Sequence, residues 1–199
     1  MIAALIFDVD GTLAETEEYH RRAFNLAFSE FGLDWYWDEA TYAALLAVTG
    51  GKERIRHFAR SRAGAPEPIA ENVIAALHRR KTAIYGATLA AGTIPLRPGI
   101  RDFIEAAEGA GLTLAIATTT SLPNVEGLLA SAFGAAWHTR FAAVAAGDMV
   151  AAKKPAPDIY RFAMARLGLA PEACLAVATR RAAATADPEA RYWAGVAHE

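Results

Sequence analysis

The chain has 199 residues and a mass of 21.2 kDa, with 54% apolar and 21% charged side chains, which excludes a disordered polyelectrolyte and leaves room for one core plus an insertion. Its 20 lysines and arginines against 22 aspartates and glutamates give a net charge of −2, so no broad positive field exists to hold a nucleic acid or an anionic membrane, and any phosphate must be bound by local groups. A single cysteine, Cys174, cannot close an internal disulfide, the first residues carry no basic leader, and no run reaches the roughly 20 apolar residues that span a bilayer; the expectation is a soluble cytoplasmic protein, with a monomer favoured.

Residues 2–7 form a short, wholly apolar run that stops at Asp8, the pattern of a strand buried on both faces, with a core helix as the alternative. Ala23, Phe24, Ala27, Phe28 and Phe31 then recur at helical spacing, and Gly32 can end that helix. Asp38 caps a second helix, Thr49-Gly50-Gly51-Lys52 interrupts, and a third helix runs from about 53 to 63. Gly64, Pro66 and Pro68 break the chain before a long helix that ends near Gly92.

From Pro95 the texture changes. A helix at 100–110 is closed by Gly111, a strand follows at 112–117, then a helix at 123–133, a strand at 141–145, a helix at 157–167 closed by Gly168, and a strand at 174–177. Strands alternating with helices predict an α/β fold built on an open parallel, Rossmann-like sheet with right-handed crossovers. Residues 1–14 and 93–199 would make this core, and 15–92 an all-helical domain inserted after its first strand.

Open parallel sheets place ligands beyond the carboxyl ends of their strands, and the first strand delivers Asp8-Val9-Asp10-Gly11-Thr12 there. A carboxylate is a competent nucleophile toward phosphorus and forms an acyl phosphate that water hydrolyses; Asp8 suits that role. Asp10, two residues on, can protonate the departing alkoxide and then take a proton from water. Gly11 permits a tight loop whose amides can point at phosphate oxygens, and Thr12 adds a hydroxyl. An acidic turn after a strand is the plain alternative, but chance occurrence of Asp-x-Asp-Gly-Thr in such a chain is on the order of one in a thousand, which favours the functional reading.

This motif resembles the first motif of the haloacid-dehalogenase superfamily of phosphohydrolases. The superfamily has a Thr or Ser at the end of its second core strand, where this chain has Thr118-Thr119-Thr120-Ser121, and a lysine before a later helix, where it has Lys153-Lys154-Pro155-Ala156-Pro157-Asp158. The hydroxyl of Thr118 can hold a phosphoryl oxygen, and Lys154 can balance the charge of aspartate and phosphate together. The inserted helices are similar to the family's small α-helical cap, which closes over small substrates.

Thr12-Leu13-Ala14-Glu15-Thr16-Glu17, Thr49-Gly50-Gly51-Lys52-Glu53-Arg54, His78-Arg79-Arg80-Lys81 and Ala117-Thr118-Thr119-Thr120-Ser121-Leu122-Pro123-Asn124 resemble the CbbY-type sugar-bisphosphate phosphatases. These act on xylulose 1,5-bisphosphate, an inhibitor of Rubisco. The resemblance implies Mg²⁺ held by Asp8 and Asp10, catalysis by Asp8, Asp10, Thr118 and Lys154, and substrate contacts from Gly11, Thr12, Thr119, Thr120 and Asn124. A substrate with two anionic ends suits Gly50 and Gly51, which allow close backbone approach, and Lys52 and Arg54, which supply charge. His78 and Lys81 share a helix face and can join that clamp, unless they belong to a solvated basic face. Glu17 can accept hydrogen bonds from sugar hydroxyls, or be a plain acid at a helix start.

The resemblance covers residues 1–177. Family members carry an acidic pair directly after the strand corresponding to 174–177, and one of its carboxylates helps hold Mg²⁺; this chain has Ala178-Thr179-Arg180-Arg181. Asp148, Asp187 and Glu189 stand in other sequence contexts. The departure implies weak Mg²⁺ binding and weak or absent phosphatase activity. A frameshift near codon 178 is one account of it, because GCG-ACT-CGN, read as Ala-Thr-Arg, contains Asp-Ser one nucleotide over. The tail offers a last strand at 192–197, without which the sheet edge is open. Two alternatives stand beside the phosphatase: a phosphosugar mutase of the same superfamily, and a catalytically silent homologue that binds a phosphosugar.

Overall fold

The computed structural model describes residues 1–48, 50–62, 69–178 and 192–193. The chain divides into two units, Met1–Thr16 with Leu89–Glu199, and Glu17–Thr88.

The first unit is built on a parallel sheet of order β3-β2-β1-β4-β5, where β1 is Ala4–Phe7, β2 Thr113–Ala117, β3 Phe141–Ala145, β4 Cys174–Val177 and β5 Tyr192–Trp193. All four residues of β1 are buried, as the unbroken apolar run predicts for a central strand covered on both faces. Phe7 pairs with Ile116 on one side and Val177 on the other, so Asp8, Thr118 and Ala178 leave the same carboxyl edge of the sheet. Helices α5 (Ile100–Gly109), α6 (Leu122–Phe133) and α7 (Asp158–Leu167) belong to this unit, with short 3-10 turns at Ala135–Thr139 and Pro171–Ala173. Ile159, Tyr160 and Ala163 of α7 pack on Ala4, Ile6, Ala115, Ala117, Ala143 and Ala145 of the sheet. Alanine at so many strand positions allows close approach of the helix to the sheet. Cys174 belongs to this core, unpaired, and burial raises its thiol pKa.

The expected tail strand at 192–197 contributes two residues: Tyr192 pairs with Ala176 and Trp193 with Val177. Arg180, Arg181, Asp187 and Glu189 lie outside the described residues, as do Thr49 and the chain break at Gly64, Pro66 and Pro68.

The second unit is helical throughout: α1 (Glu17–Glu30), α2 (Glu39–Leu45), α3 (Gly51–Ser61) and α4 (Glu71–Ala90). The predicted apolar stripe of α1 supplies Phe24, Ala27 and Phe28 to a core with Trp37, Tyr42, Ile55, Ile74 and Leu77. Trp37 is fully buried, with ring centroids of Phe24 at 4.6 Å and Phe28 at 4.8 Å, distances at which aromatic pairs add to plain area burial. Its backbone is clamped by Asn25, whose side chain bonds both Trp37 N and Trp37 O at 2.8 Å, yet its indole Nε1 has no acceptor among the described residues. Asp38 caps α2 as expected, accepting from Thr41 N at 2.7 Å. Helix α3 starts two residues before the sequence pattern predicts, because Gly50 at φ 97° turns the chain and accepts the first helical bond from Arg54 N at 3.0 Å. Among the described residues no helix is long and apolar enough to cross a membrane.

Candidate active site

The first unit gathers Asp8, Asp10, Thr118 and Lys154 around the carboxyl ends of β1 and β2. Asp8 is nearly buried, and its amide donates to Val177 O at 3.0 Å, continuing the β1–β4 ladder one residue past the strand. Lys154 Nζ lies 3.0 Å from Asp8 Oδ1 and donates to Ala117 O at 3.0 Å. It also stands 5.0 Å from the centroid of the Tyr160 ring. Burial raises the Asp8 pKa, and the Lys154 charge opposes that rise. Burial also penalises the Lys154 ammonium, but the Asp8 carboxylate and the Tyr160 hydroxyl together outweigh it and the lysine pKa ends above its ordinary value. A carboxylate kept dry beside one fixed cation is poorly solvated, which suits a nucleophile.

Asp10 Oδ1 accepts from Thr16 Oγ1 at 2.6 Å, and Thr16 is fully buried. The second carboxyl is therefore aimed by a hydroxyl six residues away, a partner that sequence spacing does not reveal. The loop amides, expected to be able to point at phosphate oxygens, are taken up within the loop at Gly11 and Thr12. Gly11 N donates to Ala14 O at 2.8 Å and Thr12 N to Val9 O at 3.0 Å, so both are spent closing the loop. The Thr12 side chain is buried. The loop is braced from outside by Arg97, which donates to Gly11 O at 2.9 Å and pairs with Glu15.

Thr118 is buried, with its amide bonded to Ala145 O at 3.0 Å and its Oγ1 accepting from Thr120 N at 3.3 Å. Asn124 Nδ2 donates to Thr120 Oγ1 at 2.9 Å, while Thr119 is exposed. Asp148 accepts from Leu122 N at 3.3 Å, at the start of α6.

The second unit brings the other predicted residues together in two groups. In one, Gly51 lies directly under His78: a Cβ on Gly51 would fall 2.5 Å from His78 Nε2. Lys52, next along α3, is exposed. Lys81 Nζ lies 2.7 Å from His20 Nδ1, with the rings of Phe24 and Tyr85 at 4.9 and 5.1 Å. An ammonium can only donate, so Nδ1 of His20 is the acceptor and its proton sits on Nε2. His20 stacks on Tyr85 at 3.9 Å. In the other group, Tyr42 Oη donates to Glu17 Oε2 at 2.9 Å and accepts from Arg54 Nη1 at 3.2 Å. Arg54, expected to supply charge for a phosphate, has its other nitrogens on Leu45 O and Val48 O. His20, Tyr42 and Tyr160 lie outside the sequence motifs, and Thr16 lies within one without a role assigned to it.

No cluster of three or more His, Cys, Asp or Glu side chains able to hold a metal ion occurs among the described residues. Mg²⁺ is usually held by one or two carboxylates with water and substrate phosphate, and Asp8 and Asp10 meet that minimum. They fit, but the position after β4 is a buried alanine, Ala178, in place of a further acid.

Residues 2–178 match the family model of haloacid dehalogenase-like hydrolases. The chain is 55% identical over 177 residues to protein CbbY of Cereibacter sphaeroides, covering 89% of this chain and 76% of that protein. Two crystal structures of CbbY from Rhodobacter sphaeroides share 53% identity and cover 94% of this chain and 81% of theirs. The complex with phosphate superposes with a TM-score of 0.81, and that of a mutant with xylulose 1,5-bisphosphate with 0.82. A central strand that ends at Asp8, a lysine paired to that carboxylate and this similarity converge: the chain belongs to the haloacid dehalogenase-like hydrolases, as one of their CbbY-type members.

Proposed function

We propose that this hydrolase is a cytoplasmic Mg²⁺-dependent phosphatase acting on a small phosphosugar, with xylulose 1,5-bisphosphate as the leading substrate. The observation that carries the reading is the buried Asp8–Lys154 pair at 3.0 Å on the central strand, two residues before a carboxyl held by Thr16. Asp8 attacks phosphorus, forming the Asp8 O–P bond as the P–O bond to the sugar breaks, and Asp10 gives its proton to the departing alkoxide. Asp10 then takes a proton from the water that cleaves the phospho-aspartate, releasing inorganic phosphate. Lys154 and the Thr118 hydroxyl steady the phosphoryl oxygens. Asp8 and Asp10 would hold Mg²⁺, which supplies positive charge against the transferring group.

The helical unit, residues 15–92 in this reading, acts as a cap domain that reads the rest of the substrate. Gly50, Gly51, Lys52 and His78 take the second phosphate and Glu17 a hydroxyl, with Lys81 acting through His20. Ala178 in place of an acid favours a second reading, in which a phosphosugar binds with little turnover. A Mg²⁺ titration of phosphate release from xylulose 1,5-bisphosphate, run beside Asp8→Asn, tests both. Release that needs Mg²⁺ and Asp8 supports the phosphatase; equal release by both proteins refutes it. Calorimetric binding without release favours the silent homologue.

A further inference from the structure

Arg54 is committed on every guanidinium nitrogen. Nε donates to Leu45 O at 3.1 Å, Nη2 to Val48 O at 3.3 Å and Nη1 to Tyr42 Oη at 3.2 Å, and its Cζ stands 5.3 Å from the centroid of the Tyr42 ring. The two carbonyls belong to the segment that leads from α2 to Gly50, and the Arg54 amide bonds Gly50 O itself. Three of the five guanidinium N–H groups thus brace this segment.

The chain of bonds has a direction. Arginine has no acceptor, so a lone pair of Tyr42 Oη receives the Arg54 proton, and the single phenolic proton is given to Glu17 Oε2 at 2.9 Å. Bonds polarised in one sense reinforce each other in a buried setting, and Tyr42 is 4% exposed. The second oxygen of Glu17, Oε1, makes no hydrogen bond within the described residues. Glu17 thus has one oxygen fixed and the other open to a donor, and an open carboxylate oxygen selects a hydroxyl.

We propose that Arg54 and Tyr42 are positioning residues that aim Glu17 at a hydroxyl of the substrate, so that the protein distinguishes a hydroxylated bisphosphate from a deoxygenated one of equal length. This rests on the phosphosugar reading and deepens it. It also ties hydroxyl recognition to the Gly50 loop, because one arginine holds both.

Binding separates the proposal from catalysis. In the Asp8→Asn protein, which cannot turn substrate over, calorimetry compares xylulose 1,5-bisphosphate with pentane-1,5-diol bisphosphate, which keeps both phosphates and lacks every hydroxyl. The expected result is a preference for the sugar that falls about tenfold when Tyr42→Phe is added, since that change removes the bond to a charged acceptor while keeping the ring beside Arg54. Arg54→Lys lowers the same ratio through the loss of its fixed fork, and serves where Tyr42→Phe does not fold. Equal weakening of both ligands, with the ratio intact, means a merely structural role and overturns the proposal alone. Failure of both ligands to bind the Asp8→Asn protein overturns the phosphosugar reading and the proposal with it.

Discussion

Gly147 is the position where one methyl group should do the most harm. It follows β3, is buried, and donates its amide to Thr120 O at 2.7 Å. A Cβ there would meet Thr119 O at 2.1 Å, Thr119 C at 2.6 Å and Thr119 Cα at 3.0 Å. These are backbone atoms, so no side chain can swing away. Restoring an ordinary carbon–oxygen separation of about 3.3 Å moves the Thr118–Thr120 loop by about 1 Å. A misplacement of that size costs on the order of 100-fold in rate, and overpacking costs about 1–3 kcal/mol, or roughly 3–9 °C of Tm in a chain of this size. Gly147→Ala should therefore lower kcat/KM for phosphate release by about two orders of magnitude and lower Tm in a thermal scan. Gly109→Ala is the control, since nothing lies within 4 Å of its added Cβ. A Gly147→Ala protein within threefold of the parent in rate and within about 1 °C in Tm would refute the reasoning.

Lys154→Met should leave Asp8 buried without its cation, at a cost of about 3–5 kcal/mol in a denaturant melt, together with loss of phosphate release; full activity in a folded Lys154→Met protein would contradict the pairing. Replacing Ala178-Thr179 with Glu-Asp should lower the Mg²⁺ needed for half-maximal release by at least about tenfold; an unchanged titration would show that the departure after β4 does not limit metal binding. The Asp38 carboxyl, held below its ordinary 3.8 by the Thr41 amide, contributes stability that is fully present above 3.8 and lost as pH falls through its depressed folded value. Asp38→Asn keeps the cap acceptor, so it should match the parent at neutral pH and lose less stability on acidification, compared by thermal melts near pH 6 and about pH 3. A parent and variant with parallel acid profiles would remove the linkage.

The order of elements was legible because this chain punctuates itself. Gly32, Gly92, Gly111 and Gly168 all adopt positive φ at or just past the ends of predicted helices, and the apolar runs between them are too short for anything but buried strands. The motif residues on strand ends were legible for the same reason: a strand fixes where its next residue emerges. What stayed hidden are bonds whose partners meet only through packing. Thr16 reaches Asp10 across a loop, Tyr42 reaches Glu17 from another helix, and Tyr160 lies beside Lys154 because α7 packs on a sheet face rich in alanine. Loop amides misled most. Gly11 and Thr12 look like phosphate donors in a motif, but a tight turn consumes its own N–H groups before any ligand arrives.

The strand order sets when Asp8 can reach its place. β1 precedes its partners β2 and β4 by about 110 and 170 residues, so the pairings that fix Asp8 are long-range and carry a heavy loop-closure cost. During synthesis one edge of the apolar β1 waits for β2, and the other stays open until β4 follows. The Asp8 amide finds its acceptor, Val177 O, only when β4 arrives. The candidate site is incomplete until β4 has paired, and a chain that stalls before β4 leaves an open apolar edge, which is an aggregation hazard.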